Sequence, residues 1–343
     1  REKRWLRSTQ PVKLDRFKDE WGVQPSAAAR LPAVPGQVLS KDGEGEDDQP
    51  LDEKEQFSYR SATAILLHMM RWSRVETMNA VRELSRFMTE AKQSHMVALH
   101  EVMEYCASTA ARGLVLCTSV VWDGTANFVF EINGLSDSEY AKGESRKSAS
   151  GWPTWLFGMC ITCRSKMMPV VALPVTEAEL YAAVQCAQDM MYIMRVLMCL
   201  GLKVKLPMIL EVGNKGAADH CNNWSVGGRT RHVEVKQNFL RELKELGFLK
   251  VKWKNGSDMT SDLFTKNLAL GLFEKHGSKF YGKDQYYVER TGDKSGDSIA
   301  GKAEARDDEL TAYYYDVWKD IIDGSPDMGR MSEPHNEGQN DPK

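Results

Sequence analysis

The sequence predicts a mixed α/β domain over residues 111–282, preceded by a small helical module over residues 53–110. Apolar residues recur at helical spacing between positions 58 and 109, and beyond Gly113 the period shortens to that of strands. From there to Gly282, short apolar runs alternate with longer helical patterns, which is the order of an α/β layer structure. The 343 residues, 42% of them apolar, suffice for two modest domains with tails and a real core.

Residues 1–52 hold Pro32, Pro35, Gly36 and the acids Glu44, Glu46, Asp47 and Asp48, and read as an irregular lead-in or linker. In the helical module, one face of a first helix is marked by Ile65, Leu66, Met69 and Met70. A second face is marked by Met78, Val81, Leu84 and Met88, and a third by Leu99, Val102, Met103 and Cys106. Breaks are expected at residues 72–74 and 91–94, giving three short amphipathic helices. Beyond Gly113, Leu114, Val115, Leu116, Val120 and Val121 lead through Asp123-Gly124 into Phe128, Val129, Phe130 and Ile132, a β-hairpin pattern. A third strand is expected over 155–163 and a fourth over 170–173, after which Thr176 opens an apolar helix that stops at Gly201. Then follow a strand over 208–212, a short helix from Lys215, a turn at Gly227 and Gly228, and a helix over 232–246 capped by Gly247. A strand over 248–253 and a last helix near Thr260 complete the domain. Residues 283–343 are polar apart from an aromatic run at 313–318, and are expected to be mostly disordered.

The net charge of -3 is unevenly spread, with acids in the lead-in and at Asp307, Asp308 and Glu309. Residues 229–283 hold twelve Lys or Arg against six Asp or Glu, a pattern that suits either a polyanionic partner or a solvated helix face. The seven cysteines form no closely spaced framework, and the one CxxC, Cys160 and Cys163, has no second pair to complete a zinc site. Residues three apart in a strand point to opposite faces, so the two read as buried small hydrophobes of a reduced, intracellular protein. The apolar stretch over 190–200 is interrupted by Arg195, and the N-terminus has no charged start followed by an apolar core. Neither a membrane span nor a signal peptide is expected.

Three acids stand out. Hydrolysis of a phosphodiester on two divalent cations needs oxygen ligands that converge from separate elements. Asp137 in SDSEYA is a turn former or a metal ligand. Glu179 in TEAELY is a ligand or the partner of Thr176 in a capping box. Asp262 in SDLFTK is a ligand or an acid favoured by the dipole of a helix start.

The ordered segments SDSEYAKGESRKSASGW, RSKMMPVVALPVTEAELYAA, EVGNKGAAD, GGRTRHVEVKQNFLREL and SDLFTKNL resemble the ribonuclease H region of copia-type retrotransposon Pol polyproteins. YRSATAILLHMMRWSRVETMNAVRELSRFM and HMVALHEVMEYCASTAARGLVL are similar to the segment that joins the family's reverse transcriptase to that domain. The lead-in resembles the polymerase end more loosely, and the resemblance covers most of residues 57–280. It implies a ribonuclease H-like mixed five-stranded sheet with flanking helices. It also implies Mg²⁺-dependent hydrolysis of the RNA strand of RNA/DNA hybrids. Two Mg²⁺ ions, with Mn²⁺ as a substitute, would be held by Asp137, Glu179 and Asp262, with Glu177 the weaker alternative to Glu179.

The family's next acid is the aspartate of a CDN or VDN triplet, where this chain reads Val212-Gly213-Asn214. A ligand is therefore missing and impaired activity is expected. Glu211 lies on the same strand face but is displaced by roughly 6 to 7 Å. Arg229, Arg231, His232 and Lys236 are expected to follow a nucleic-acid backbone, which binds through phosphate neutralisation and shape. His232 remains open between phosphate contact and packing. Trp152, Trp155 and Trp253 read as core. The loop over 254–260 lacks the histidine that related cellular enzymes keep there, and Val75 and Glu76 follow Arg74 where the family has proline and aspartate. The lead-in holds no YxDD-like pair, so no polymerase site is expected in it. The implied partners are an RNA/DNA hybrid and the rest of the polyprotein, its reverse transcriptase and integrase, with no membrane. The implied location is a cytoplasmic virus-like particle or the nucleus. The alternative is a noncatalytic nucleic-acid-binding remnant of a decayed Pol polyprotein.

Overall fold

The computed structural model describes residues 5–282 apart from 43, 44, 46, 143–145, 170, 173, 174 and 223–230, and over 231–237 only the side chain of Lys236. The expectations for Gly227, Gly228 and residues 283–343 lie outside the described residues.

The lead-in is more ordered than its composition suggested. Leu6–Ser8 is a strand (β1) and Pro11–Trp21 a helix (α1), with proline at its start and Gly22 at φ 65° ending it. Leu14 and Phe17 are buried. This corrects the irregular reading, because so short an amphipathic pattern is outweighed in the sequence by the prolines and acids that follow it.

The three expected helices of the module are Glu53–Trp72 (α2), Met78–Ser85 (α3) and Gln93–Ser108 (α4). Asp52 and Glu55 form a reciprocal capping box at the start of α2. At the α2–α3 break, the buried Arg74 donates from Nε to Glu76 Oε1 at 2.7 Å and from a terminal nitrogen to the Cys106 carbonyl at 3.0 Å. Glu76, standing where the family has aspartate, thus keeps a carboxylate beside Arg74.

Leu114–Leu116 (β2) pairs antiparallel with β1, and Val129–Phe130 (β3) pairs parallel with Lys203–Val204 (β7). The hairpin expected between residues 114 and 132 is therefore corrected. Val120, Val121 and Trp122 are exposed, so no core lies behind that segment to hold a second strand.

The main sheet contains Ile132–Glu139 (β4), Ala149–Leu156 (β5), Met159–Met167 (β6), Met208–Val212 (β8) and Leu249–Trp253 (β9). Their spatial order is β6-β5-β4-β8-β9. The first three form an antiparallel meander, while β8 and β9 run parallel to β4 and to each other. The helices around it are Val175–Cys199 (α5), Lys215–Asn222 (α6), Arg231–Glu245 (α7) and Leu270–Tyr281 (α8). This is the ribonuclease H-like mixed five-stranded sheet with flanking helices.

Several sequence expectations change in detail. The single strand over 155–163 is two strands, β5 and β6, reversed at Phe157 and Gly158 with φ of 48° and 76°. Of the strand expected over 170–173, Val171 and Ala172 lie in no strand and the other two residues are not described. The helix near Thr260 is a 3₁₀ turn, Thr260–Phe264, with α8 following separately. In β6, Thr162 pairs with Thr154 but Cys160 pairs with Trp155, which leaves Ile161 as a bulge. Both Cys160 and Cys163 consequently enter the buried cluster, correcting the opposite-face reading. A hydrogen bond with Cys163, then burial, pushes the Cys160 thiol up.

α5 lies directly on β4. A Cβ at Gly134 would stand 2.6 Å from Cys186 Sγ and from Met190 Sδ, so glycine is what allows this approach. One buried cluster joins Phe17, Tyr59, Leu84 and Leu99 of the helical side to Trp155, Phe264 and Phe280 of the sheet side. Among the described residues no helix is long and apolar enough to cross a membrane.

Candidate active site

Asp137 lies in the middle of the sheet, on β4, opposite Gly151 of β5. It is a strand residue and not a turn former, and it is buried. Thr265 donates its hydroxyl to Asp137 Oδ2 at 2.6 Å, which fixes the carboxylate.

Glu179 and Asp262 approach Asp137 from two other elements. Because α5 begins at Val175, Thr176 lies inside the helix and Glu179 stands one turn in, buried. Among the described residues its Oε2 has no hydrogen-bond partner. Burial, then the charge of Asp137, pushes the Glu179 carboxyl up to about 8. Asp262 sits in the 3₁₀ turn, and the same two causes push it up to about 7. Glu177, the alternative to Glu179, instead points toward Lys236, with 3.9 Å between Oε1 and Nζ.

A cation already touches two of these acids. Lys266 Nζ lies 2.8 Å from Asp262 Oδ1 and 3.2 Å from Asp137 Oδ2. Burial alone would favour its neutral form, but the two carboxylates outweigh burial and hold the ammonium charged.

The segment that carries Asp262, Thr265 and Lys266 is tightly held. Ser165 Oγ donates to the Phe264 carbonyl at 2.5 Å. A Cβ at Gly151 would come within 2.7 Å of Phe264 Cβ and 2.8 Å of Thr265 Cγ2, so β5 passes directly beneath the turn. Asn267 accepts from Asn79 Nδ2 on α3 at 2.7 Å and donates to the Gln37 carbonyl at 2.8 Å. Gly36 N donates to the Asn267 carbonyl at 2.9 Å. The lead-in and the helical module therefore brace the site from outside the sheet.

Gly213 follows β8 beside Asp137. A Cβ built there lies 3.5 Å from Asp137 Oδ1 and 3.3 Å from Met259 Cε, so a side chain at this position would face the acid cluster. Glu211 is engaged elsewhere, its Oε2 2.6 Å from Lys254 Nζ. Asn214 Oδ1 accepts from Ala217 N at 3.0 Å at the start of α6.

Of the expected nucleic-acid contacts, Arg229 and the side chains of Arg231 and His232 lie outside the described residues. Lys236 is described, and its ammonium lies 4.8 Å from the Tyr181 ring centre as well as near Glu177. Trp152 and Trp155 are core, but Trp253 is 52% exposed and donates from Nε1 to the Gly213 carbonyl at 3.1 Å. The core reading of Trp253 is corrected: it stands on the solvent face of β9, the strand at one edge of the sheet.

Sequence reasoning missed Lys266 and Thr265, whose only signal is the Asp262–Lys266 spacing of four. It also missed the lysines at the end of β9 and on α8. Lys275 Nζ lies 2.7 Å from Asp258 Oδ1, and Lys279 Nζ donates to Thr260 Oγ1 at 2.6 Å. Burial, then neighbouring Lys254 and Lys275, lowers the Lys279 ammonium. Among the described residues no group of three or more His, Cys, Asp or Glu side chains is disposed to hold a metal ion.

No family model matches the chain. The retrovirus-related Pol polyprotein from transposon TNT 1-94 of Nicotiana tabacum is 29% identical over 217 residues, 63% of this chain and 16% of that protein. The secreted RxLR effector protein 161 of Plasmopara viticola is 35% identical over 136 residues, 39% of this chain and 90% of that protein. A solved ribonuclease H1, LC11 isolated from compost, is 12% identical and covers 42% of this chain and 96% of its own, with a TM-score of 0.32. The chain spans about a sixth of the length of the Pol polyproteins it matches. By sequence the chain is similar to the retrovirus-related Pol polyproteins of copia-type transposons, and its sheet has the ribonuclease H-like order described above.

Proposed function

We propose that this chain is the ribonuclease H domain of a copia-type Pol polyprotein, built to hydrolyse the RNA strand of RNA/DNA hybrids and impaired by Gly213. The observation that carries the reading is the convergence on Asp137: Glu179 and Asp262 both feel its charge, and Gly213 faces its Oδ1. The domain layout proposed from the sequence, 53–110 as connection module and 111–282 as nuclease domain, goes with it. So do the hybrid and the remaining polyprotein segments as partners.

As placed, the acids make no ready site for a hard divalent cation among the described residues, although Glu179 Oε2, buried beside Asp137 with no hydrogen-bond partner among those residues, is an oxygen of the kind such an ion takes. On one side of Asp137 Gly213 offers no oxygen, and on the other Lys266 engages one oxygen each of Asp137 and Asp262. When bound, Mg²⁺ or Mn²⁺ would activate water and neutralise charge on the phosphate. Asp137 contributes a carboxylate locked by Thr265, and Glu179 must surrender the proton that its buried place retains. An absent ligand that removes on the order of 3 kcal/mol of transition-state stabilisation lowers the rate more than a hundredfold.

Gly213 and Lys266 together favour a second reading, a noncatalytic remnant that binds nucleic acid without cutting it. Cleavage of a labelled RNA/DNA hybrid in Mg²⁺ separates the two, with the chain compared against Gly213→Asp and with Asp137→Asn as blank. Cleavage by Gly213→Asp that greatly exceeds the parent's supports an impaired nuclease. Equal cleavage by both removes the claim of impairment. Silence of both, with salt-sensitive binding of the hybrid retained, favours the remnant.

A further inference from the structure

Asp137 has two sides, and they differ. Its Oδ2 takes the Thr265 hydroxyl at 2.6 Å and the Lys266 ammonium at 3.2 Å, while its Oδ1 faces the vacant Cβ direction of Gly213. The ammonium also reaches Asp262 Oδ1 at 2.8 Å, so one cation bridges two carboxylates from separate elements. That is the task a divalent ion performs in an all-oxygen site. Across the cluster, Glu179 Oε2 is buried and has no hydrogen-bond partner among the described residues.

We propose that Lys266 is a tethered cation filling one of two cation places around Asp137, and that a divalent ion must displace its ammonium to bind between Asp137 and Asp262. The inference rests on reading Asp137, Glu179 and Asp262 as a cation cluster. The second place, on the Oδ1 side, lacks the carboxylate that Gly213 does not supply. The side chain is well suited to leave. Lys266 is one-third exposed, and a flexible four-carbon stem lets its ammonium swing out without moving the backbone. The clamp on Asn267 keeps that backbone in place when the side chain moves. Metal affinity is then set by competition within the chain, and the two places open through different residues.

Binding of Mn²⁺ to the full chain, followed by loss of the free-ion paramagnetic resonance signal, tests this without reference to cleavage. The proteins compared are the parent, Lys266→Gln, Lys266→Arg, Gly213→Asp and the Lys266→Gln/Gly213→Asp double variant. We expect Lys266→Gln to bind Mn²⁺ at least ~10-fold more tightly than the parent, the scale seen when contacts around metal ligands change. Lys266→Arg, which keeps the charge, should bind like the parent, and the double variant should take up two ions. If Lys266→Gln does not fold, Lys266→Met, which keeps the stem, takes its place. A folded Lys266→Gln that binds no tighter than the parent overturns the inference; if Gly213→Asp still gains an ion, the cluster reading survives that loss. If none of the variants, the double included, takes up Mn²⁺, the tethered-cation inference and the cluster reading fall together.

Discussion

Glu179 carries the sharpest consequence at the level of single residues. Its carboxyl is pushed up to about 8 and that of Asp262 to about 7, both by burial first and by Asp137 second. Both folded values lie above the unfolded ones, so the folded chain binds the extra protons. That contribution to stability is fully present below the ordinary carboxylate range and is lost as pH rises through 7 to 8. In the absence of divalent metal, the melting temperature should therefore fall between pH 5 and pH 8, and Glu179→Gln should flatten the fall. Thermal melts of both proteins in chelator at the two pH values measure it. A parent whose melting temperature rises over that interval would show that Glu179 is ionised throughout. The three acids were picked out by the family resemblance of the short motifs that carry them, while each motif alone fits a structural role as well. Lys266 was not, because four-residue spacing from Asp262 describes any helix-face ion pair. Only the fold brings its ammonium to Asp137, 129 positions earlier in the chain.

Elements were legible in proportion to how far their own periodicity decided them. The helices α2 to α4 and the strand β8 follow from apolar spacing alone, since each presents one clear face to a neighbour. The β1–β2 pairing, the β5–β6 reversal at Phe157-Gly158 and the Ile161 bulge were not legible, because each depends on a partner that local sequence does not name. Two substitutions test how elements support the site. Gly151→Ala places a methyl group where β5 touches Phe264 and Thr265, and overpacking of this kind costs about 1–3 kcal/mol. It should lower the urea midpoint and weaken Mn²⁺ binding together, because the displaced turn carries Asp262. Glu76→Ala strands the buried Arg74 charge between α2 and α4, which costs roughly 3–5 kcal/mol. Urea unfolding measures that loss, and Glu76→Asp, which restores the family's acid, should recover part of it.

At the scale of the molecule, the helical module and the sheet share one core. Trp155 of β5 stacks on Phe280 of α8 at 5.0 Å between ring centres, and Tyr105 of α4 meets Phe273 of α8 edge-on at 5.8 Å. Arg112 reaches Glu274 at 2.9 Å, and the Asn79–Asn267 bond ties α3 to the segment behind Asp262. Removing residues 1–110 would strip part of the packing from Leu263, Phe264, Phe273 and Phe280, which belong to the same buried cluster as Tyr59, Leu84 and Leu99. At about 1.5–3 kcal/mol for each large apolar side chain fully returned to water, even partial exposure of the four is a sizeable share of the 5–15 kcal/mol that holds a typical domain folded. Residues 5–282 should accordingly unfold in one transition, with tryptophan fluorescence and far-UV circular dichroism coincident. A fragment of residues 111–282 should show no cooperative transition and should not take up Mn²⁺ even with Lys266→Gln. A fragment that melted cooperatively near the temperature of the longer chain would mean that the shared cluster contributes little. The Asn79–Asn267 bond would then still tie the helical module to the segment behind Asp262.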